Sequence, residues 1–239
     1  MTQPINIALV GASGVVGTKI MQLLEKKAFP IINFYPLGSS SVGQVVTLNG
    51  TEYSIDDTSN FDASLADLTI LAAGSSVAES YAKDFVAAGS YVIDLSSHFR
   101  YEDDVPLIIP EINGALVEAL ESPTLIANPN CSTSQLLVAL KPIHDELTIE
   151  FINIATYQAV SGTGKAAVEE LNNQTYFSES NHEPLVYPKP IAFNAIPQCD
   201  VFMDNAFTKE EMKLVWAVSY THLRAHETDS YLVCRLLLE

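Results

Sequence analysis

Gly11-Ala12-Ser13-Gly14-Val15-Val16-Gly17 is the stretch on which the fold turns. It follows an apolar run, Ile5 to Val10, and leads into Thr18 to Lys27, where Ile20, Leu23 and Leu24 are read as one apolar helix face. Buried strand, glycine turn and amphipathic helix, in that order, open a dinucleotide-binding βαβ unit. The glycines permit a tight turn and close approach of a pyrophosphate, whose charge sits at the positive end of the helix. The spacing is G-x-x-G-x-x-G, and Gly11, Ser13, Gly14, Val15, Val16 and Gly17 are the residues expected against the cofactor.

Working outward, Ile31 to Leu37, Leu68 to Ala73 and Tyr91 to Leu95 read as buried strands, with a helix from Val77 to Ala88. Strands alternating with helices give an α/β fold with a doubly wound parallel sheet of Rossmann type, assigned to residues 1–128. Beyond that point the rhythm changes. A helix over Ser134 to Leu147 precedes a half-exposed strand, Ile149 to Tyr157, the turn around Ser161-Gly162, and a helix from Lys165 to about Tyr176. Residues 178–200 are irregular, and Lys209 to Trp216 are helical. Residues 129–216 thus form a second, α+β domain. The helix is expected to break without a cap at Trp216, and residues 217–239 read as a tail that is not native to the gene.

Composition narrows the function. Net charge is −17, from 12 Lys plus Arg against 29 Asp plus Glu, which disfavours nucleic acid and anionic membranes as partners. No apolar run approaches the roughly 20 residues that cross a bilayer. No basic leader precedes the first strand, so a cytoplasmic protein is expected. Cys131, Cys199 and Cys234 lack metal-ligand spacing, and no metal is expected.

Where an NAD-preferring fold places an acid after its second strand, this chain has Gly38-Ser39-Ser40-Ser41. With no acid in that loop and with Ser39 and Ser40 able to donate hydrogen bonds to a 2′-phosphate, NADP is the expected cofactor.

Asn128-Pro129-Asn130-Cys131-Ser132-Thr133 ends a strand and begins a helix, with a cysteine at the junction. A helix N-terminus favours thiolate, so Cys131 reads as a nucleophile. Lowering a thiol pKa from about 8.5 to neutrality takes roughly 2 kcal/mol, and a helix end typically supplies about 0.3–1 kcal/mol. A basic partner is therefore needed. His98, His144 and His182 stand in polar contexts and none carries an obvious motif for that role.

These residues make the chain resemble the bacterial aspartate-β-semialdehyde dehydrogenases over residues 4–216. The resemblance rests on Gly11–Gly17, Ala73-Gly74-Ser75-Ser76, Asp94-Leu-Ser-Ser-His-Phe-Arg100, Pro110-Glu-Ile-Asn113 and Asn128–Thr133. It continues through Tyr157-Gln-Ala-Val-Ser-Gly162, Ile191-Ala-Phe-Asn-Ala-Ile-Pro197 and Glu210-Glu-Met-Lys213. It implies NADPH-dependent reductive dephosphorylation of L-aspartyl-4-phosphate to the semialdehyde, in lysine, threonine and methionine biosynthesis, by a homodimer or homotetramer. Cys131 would form a thioester and Gln158 would orient it. Arg100 and Lys213, with Asn130 nearby, would bind phosphate, and Glu210 the substrate amino group. Ser161 and Gly162 would lie against the nicotinamide.

The resemblance stops at Trp216, so the catalytic and dimerisation domain is expected to be incomplete and the chain weakly active or inactive. The family's substrate-carboxylate arginine and general-base histidine have no counterpart before that point, and Arg224-Ala225-His226 does not reproduce their spacing. The loop after the second strand also lacks the family's usual arginine. Two alternatives remain. N-acetyl-glutamyl-phosphate reductase shares the chemistry, but there Cys is normally followed by Tyr-Pro-Thr. A non-catalytic NADP-binding paralogue would be expected to lose Cys131 or Arg100, and both are present.

Overall fold

The computed structural model describes residues 3–176 and 186–220, with the side chains of 217–220 left aside. The chain divides into two compact units, Met1–Asn130 and Cys131–Glu239. The first runs β1 (Ile5–Val10), α1 (Val15–Lys26), β2 (Ile31–Gly38), β3 (Val45–Leu48), β4 (Thr51–Ser54), β5 (Asp56–Asp57), β6 (Leu68–Leu71), α2 (Ser75–Ala87), β7 (Tyr91–Asp94), α3 (Pro110–Asn113), α4 (Ala115–Glu118) and β8 (Leu125–Ala127). Its main sheet has the order β5-β2-β1-β6-β7-β8, every pair parallel.

Strand β1 is at the centre, and its side chains alternate between two cores. Ala8 and Val10 join Leu71, Val92 and, from α2, Ala78, Ala82 and Phe85 on one face. Ile7 and Leu9 join Met21 of α1, Phe34, Leu48 and Ile55 on the other. A parallel sheet covered on both faces requires this unbroken apolar run. The order reverses at β1, which places a crevice at the C-terminal ends of β1 and β6. Two glycines with left-handed φ, Gly11 (+87°) and Gly74 (+94°), flank it.

The sequence reading differs from the structure in several places. Helix α1 begins at Val15 rather than Thr18, and its inner face is Gly17, Ile20, Met21 and Leu24, the i, i+3, i+4, i+7 set. Leu23 falls outside that stripe and is 46% exposed. The β3–β4 hairpin was not anticipated, although its turn is Asn49-Gly50, both at positive φ, which is a strong hairpin signal.

The second unit contains α5 (Cys131–Leu147), α6 (Lys165–Tyr176) and α7 (Lys209–Tyr220). Residues 149–157 form no strand. Exposure alternates only from Phe151 to Ile154, and a strand also needs a hydrogen-bonded neighbour, of which the described residues show none here. Helix α7 does not stop at Trp216 but continues to Tyr220, because no glycine or proline interrupts that stretch. The expected tail beyond Tyr220, with Arg224, His226 and Cys234, lies outside the described residues, as does His182.

Gly17 bears on the loop directly. A Cβ there would run into the Gly11 carbonyl oxygen and reach 2.9 Å from Ala12 Cα, all backbone. Gly17→Ala is expected to destabilise the chain by about 1–3 kcal/mol in urea titration. Gly162→Ala, where nothing lies within 4 Å of the added carbon, should stay close to neutral.

Candidate active site

The candidate residues fall into the two units. In the first, the helix following Gly11–Gly14 has no side-chain cap and no acid in its first turn, and Val15 and Val16 are 42% and 49% exposed. A Cβ on Gly11 would come within 2.7 Å of the Ala72 carbonyl oxygen. An uncapped helix end beside a backbone approach that only glycine allows fits the pyrophosphate of a dinucleotide. Ser39 and Ser40 are exposed beyond β2, while Ser41 is buried.

Arg100 is buried, at 8% exposure, rather than lying on the surface. Its Nε donates to the Asn128 carbonyl (2.9 Å) and its Nη2 to that of Leu95 (3.0 Å). Asp94, fully buried at the end of β7, accepts from the Ser96 amide and hydroxyl, both at 2.8 Å. The Asn128 amide in turn donates to the Asp94 carbonyl at 2.8 Å. The ends of β7 and β8 are thereby pinned together. Asn130 is buried, and Cys131 follows it directly in the chain.

In the second unit Cys131 is exposed and is the first residue of α5. Its Sγ lies 4.0 Å from Ser132 Oγ. Ser132 Oγ accepts from Gln158 Nε2 (2.6 Å) and donates to Glu210 Oε1 (3.3 Å), and Gln158 Nε2 also donates to Glu210 Oε1 (3.0 Å). Glu210 Oε2 then holds Lys213 Nζ at 3.1 Å, and Asp200 Oδ2 holds it at 2.7 Å. Cys131, Gln158, Glu210 and Lys213 are brought into one connected group. Ser161 and Gly162 stand in an exposed turn of the same unit, a few residues beyond Gln158.

Local sequence explains the geometry of α7. Thr208 and Glu211 cap one another: the Thr208 hydroxyl accepts from the Glu211 amide, and the Glu211 carboxylate accepts from the Thr208 amide. This fixes the helix start, and Glu210 and Lys213 then share a face at i, i+3. The preceding loop returns through Lys209 N–H to the Val201 carbonyl and places Asp200, at φ +67°, beside Lys213.

Ser132 and Asp200 were not assigned roles from sequence. Asp200 precedes Lys213 by 13 residues across a loop, a spacing without periodic meaning. The Ser132 link was detectable only through its neighbour, Cys131.

Two family models match: "Semialdehyde dehydrogenase, NAD binding domain" over residues 6–120 and "Semialdehyde dehydrogenase, dimerisation domain" over residues 140–230. The chain belongs to the aspartate-semialdehyde dehydrogenase family. The aspartate-semialdehyde dehydrogenase of Shewanella sp. (strain DB6705) is 49% identical over 219 residues, 90% of this chain and 65% of that protein. The crystal structure of Vibrio cholerae aspartate semialdehyde dehydrogenase II, complexed with ASA, superposes with a TM-score of 0.88 at 42% identity, covering 92% of this chain and 66% of that one. The Candida albicans enzyme with NADP gives a TM-score of 0.53 at 25% identity, covering 67% of this chain and 52% of that one. The chain therefore spans about two thirds of the length of the family members it matches. Its parallel sheet is the family's Rossmann-type NAD-binding domain. Among the described residues no helix is long and apolar enough to cross a membrane.

The charges in the second unit are mutually dependent. Burial pulls the Lys213 ammonium down, but its hydrogen bonds to Asp200 and Glu210 outweigh this, and its pKa lies above 10.5. Burial pushes the Asp200 carboxyl up, but the Lys213 hydrogen bond and the Val201 amide outweigh that, and it lies below 3.8. The raised lysine contributes stability below 10.5, lost as pH rises through its folded value. The depressed aspartate contributes above 3.8, lost as pH falls through its folded value. Lys213→Met should cost about 1–3 kcal/mol at pH 7, with the penalty shrinking toward pH 3 in acid-urea titrations.

Cys199, beside Asp200, is pushed up to about 11, by burial first and then by Glu210 and Asp200. At pH 7.5 its thiolate fraction is below about one in a thousand. Iodoacetamide at that pH should therefore label Cys131 before Cys199, read by peptide mass spectrometry. The reverse order would contradict the nucleophile assignment.

Proposed function

We propose that the site performs the reductive dephosphorylation of L-aspartyl-4-phosphate to L-aspartate 4-semialdehyde, a step of lysine, threonine and methionine biosynthesis. The observation that carries this reading is the hydrogen-bonded group that connects Ser132, next to Cys131, with Gln158, Glu210 and Lys213. The relatives' shared name supports it against the acetyl-glutamyl-phosphate and non-catalytic alternatives.

Cys131 sulfur attacks the C4 carbonyl, the carbon–oxygen bond to phosphate breaks, and a thioester to Cys131 remains. Gln158, held by Ser132 and Glu210, orients the acyl group. Glu210 receives the substrate ammonium. Lys213 offers a point charge and Arg100 a planar fork to the phosphate, with Asn130 nearby. A bound nicotinamide dinucleotide would supply the hydride that reduces the thioester carbon, the carbon–sulfur bond breaking to release the aldehyde and the Cys131 thiolate. NADP(H) is the form that the family resemblance implies, with Ser39 and Ser40 as donors to its 2′-phosphate. The glycine loop, from Gly11 and Ser13 to Gly17, holds the pyrophosphate, and Ser161 and Gly162 meet the nicotinamide. The working enzyme is a homo-oligomer built through the dimerisation domain.

The test is phosphate-dependent reduction of NADP by aspartate semialdehyde, on this chain and on a version extended by the C-terminal segment of a family member. Cys131→Ser in the active form should abolish turnover while leaving the nucleotide Kd within about twofold. Turnover surviving in that variant would refute the thioester.

A further inference from the structure

The second strand of a Rossmann unit delivers, at its C-terminal end, the group that meets the adenosine ribose. In this chain that end is Gly38, and an aspartate stands opposite it on the neighbouring strand. Strand β5 pairs in parallel with it, Leu37 opposite Asp56 and Gly38 opposite Asp57. Neighbouring strands are about 4.8 Å apart, so Asp57 stands level with Gly38, one strand away. Thr58 Oγ1 donates to the Gly38 carbonyl at 3.3 Å and ties the two strands together.

The Asp57 carboxylate is held in place. Its Oδ1 accepts from the Ser59 amide (2.9 Å) and the Ser59 hydroxyl (2.8 Å), which together hold its carboxyl below the usual aspartate value. Among the described residues its Oδ2 receives one long contact, 3.5 Å, from Asn60 Nδ2. That oxygen keeps capacity to accept from a hydroxyl. No cation offsets it within this stretch of chain. Residues 28–82 contain no Lys, Arg or His, and Asp56 and Asp57 both lie on the strand beside the end of β2. The loop residues Ser39 and Ser40 are neutral and exposed.

We propose that Asp57 is a specificity-determining residue that repels a 2′-phosphate and accepts a 2′-hydroxyl, so that this chain binds NAD(H) at least as tightly as NADP(H). A phosphate monoester carries about −1.5 to −2 at neutral pH, and the serines alone do not neutralise it. The inference rests on the cofactor reading above and replaces its NADP preference for this chain.

The experiment is a fluorescence titration of the chain with NADPH and with NADH, at low and at physiological salt. The expected result is a Kd for NADH no weaker than that for NADPH, with the NADPH/NADH ratio of Kd falling as salt screens the repulsion. Asp57→Asn, which keeps an acceptor for the Ser59 amide, should tighten NADPH by about three- to tenfold and change NADH less than about twofold. Ser40→Arg should tighten NADPH further. NADPH binding tenfold tighter than NADH in the unaltered chain, or a ratio indifferent to salt, would overturn the proposal without using any variant. Binding of neither nucleotide would overturn the cofactor reading and this inference with it.

Discussion

A central parallel strand with layers on both sides has no solvated face, so apolar side chains fill both. That constraint governs the first unit. Ile7, Ala8, Leu9 and Val10 are all essentially inaccessible, and each successive residue feeds the opposite core. Helix α1 covers one face and α2 the other, both entered from glycine turns at the C-terminal edge of the sheet. The crevice between those turns is a consequence of this winding. The strand order reverses at β1, and the backbone there is left open where side chains cannot go.

The second unit is organised by charge instead. One lysine is shared between two carboxylates, Asp200 and Glu210, and Glu210 also serves the Gln158 amide and the Ser132 hydroxyl. Each acceptor oxygen of Glu210 is thus used, which holds Gln158 in one orientation near the start of α5. The group as a whole carries an excess negative charge. Burial first, and then the nearby Glu210 and Asp200 carboxylates, keep the Cys199 thiol protonated at neutral pH.

The sequence stated some of this directly. The glycine loop, the strands at Ile5–Val10, Ile31–Gly38 and Tyr91–Asp94, and the helix after Cys131 follow from local patterns, because period, turn residues and caps are properties of adjacent positions. Residues 149–157 show the opposite case. Their alternation describes a face and says nothing of the strand that would have to lie beside it. The short β5 and the three-residue β8 carried too few residues for any period to register.

The sequence by itself therefore determined the class of fold, the family, and which residue types are available for chemistry at Cys131, Gln158, Glu210 and Lys213. Tertiary structure alone decided their partners. Only folding brought Asp200 to Lys213, Ser132 to both Gln158 and Glu210, the Asn128 carbonyl to Arg100, and Asp57 level with Gly38. The reason is physical: a hydrogen bond or ion pair acts over about 3 Å in space, and separations of 13 to 78 residues along the chain leave no trace of such distances.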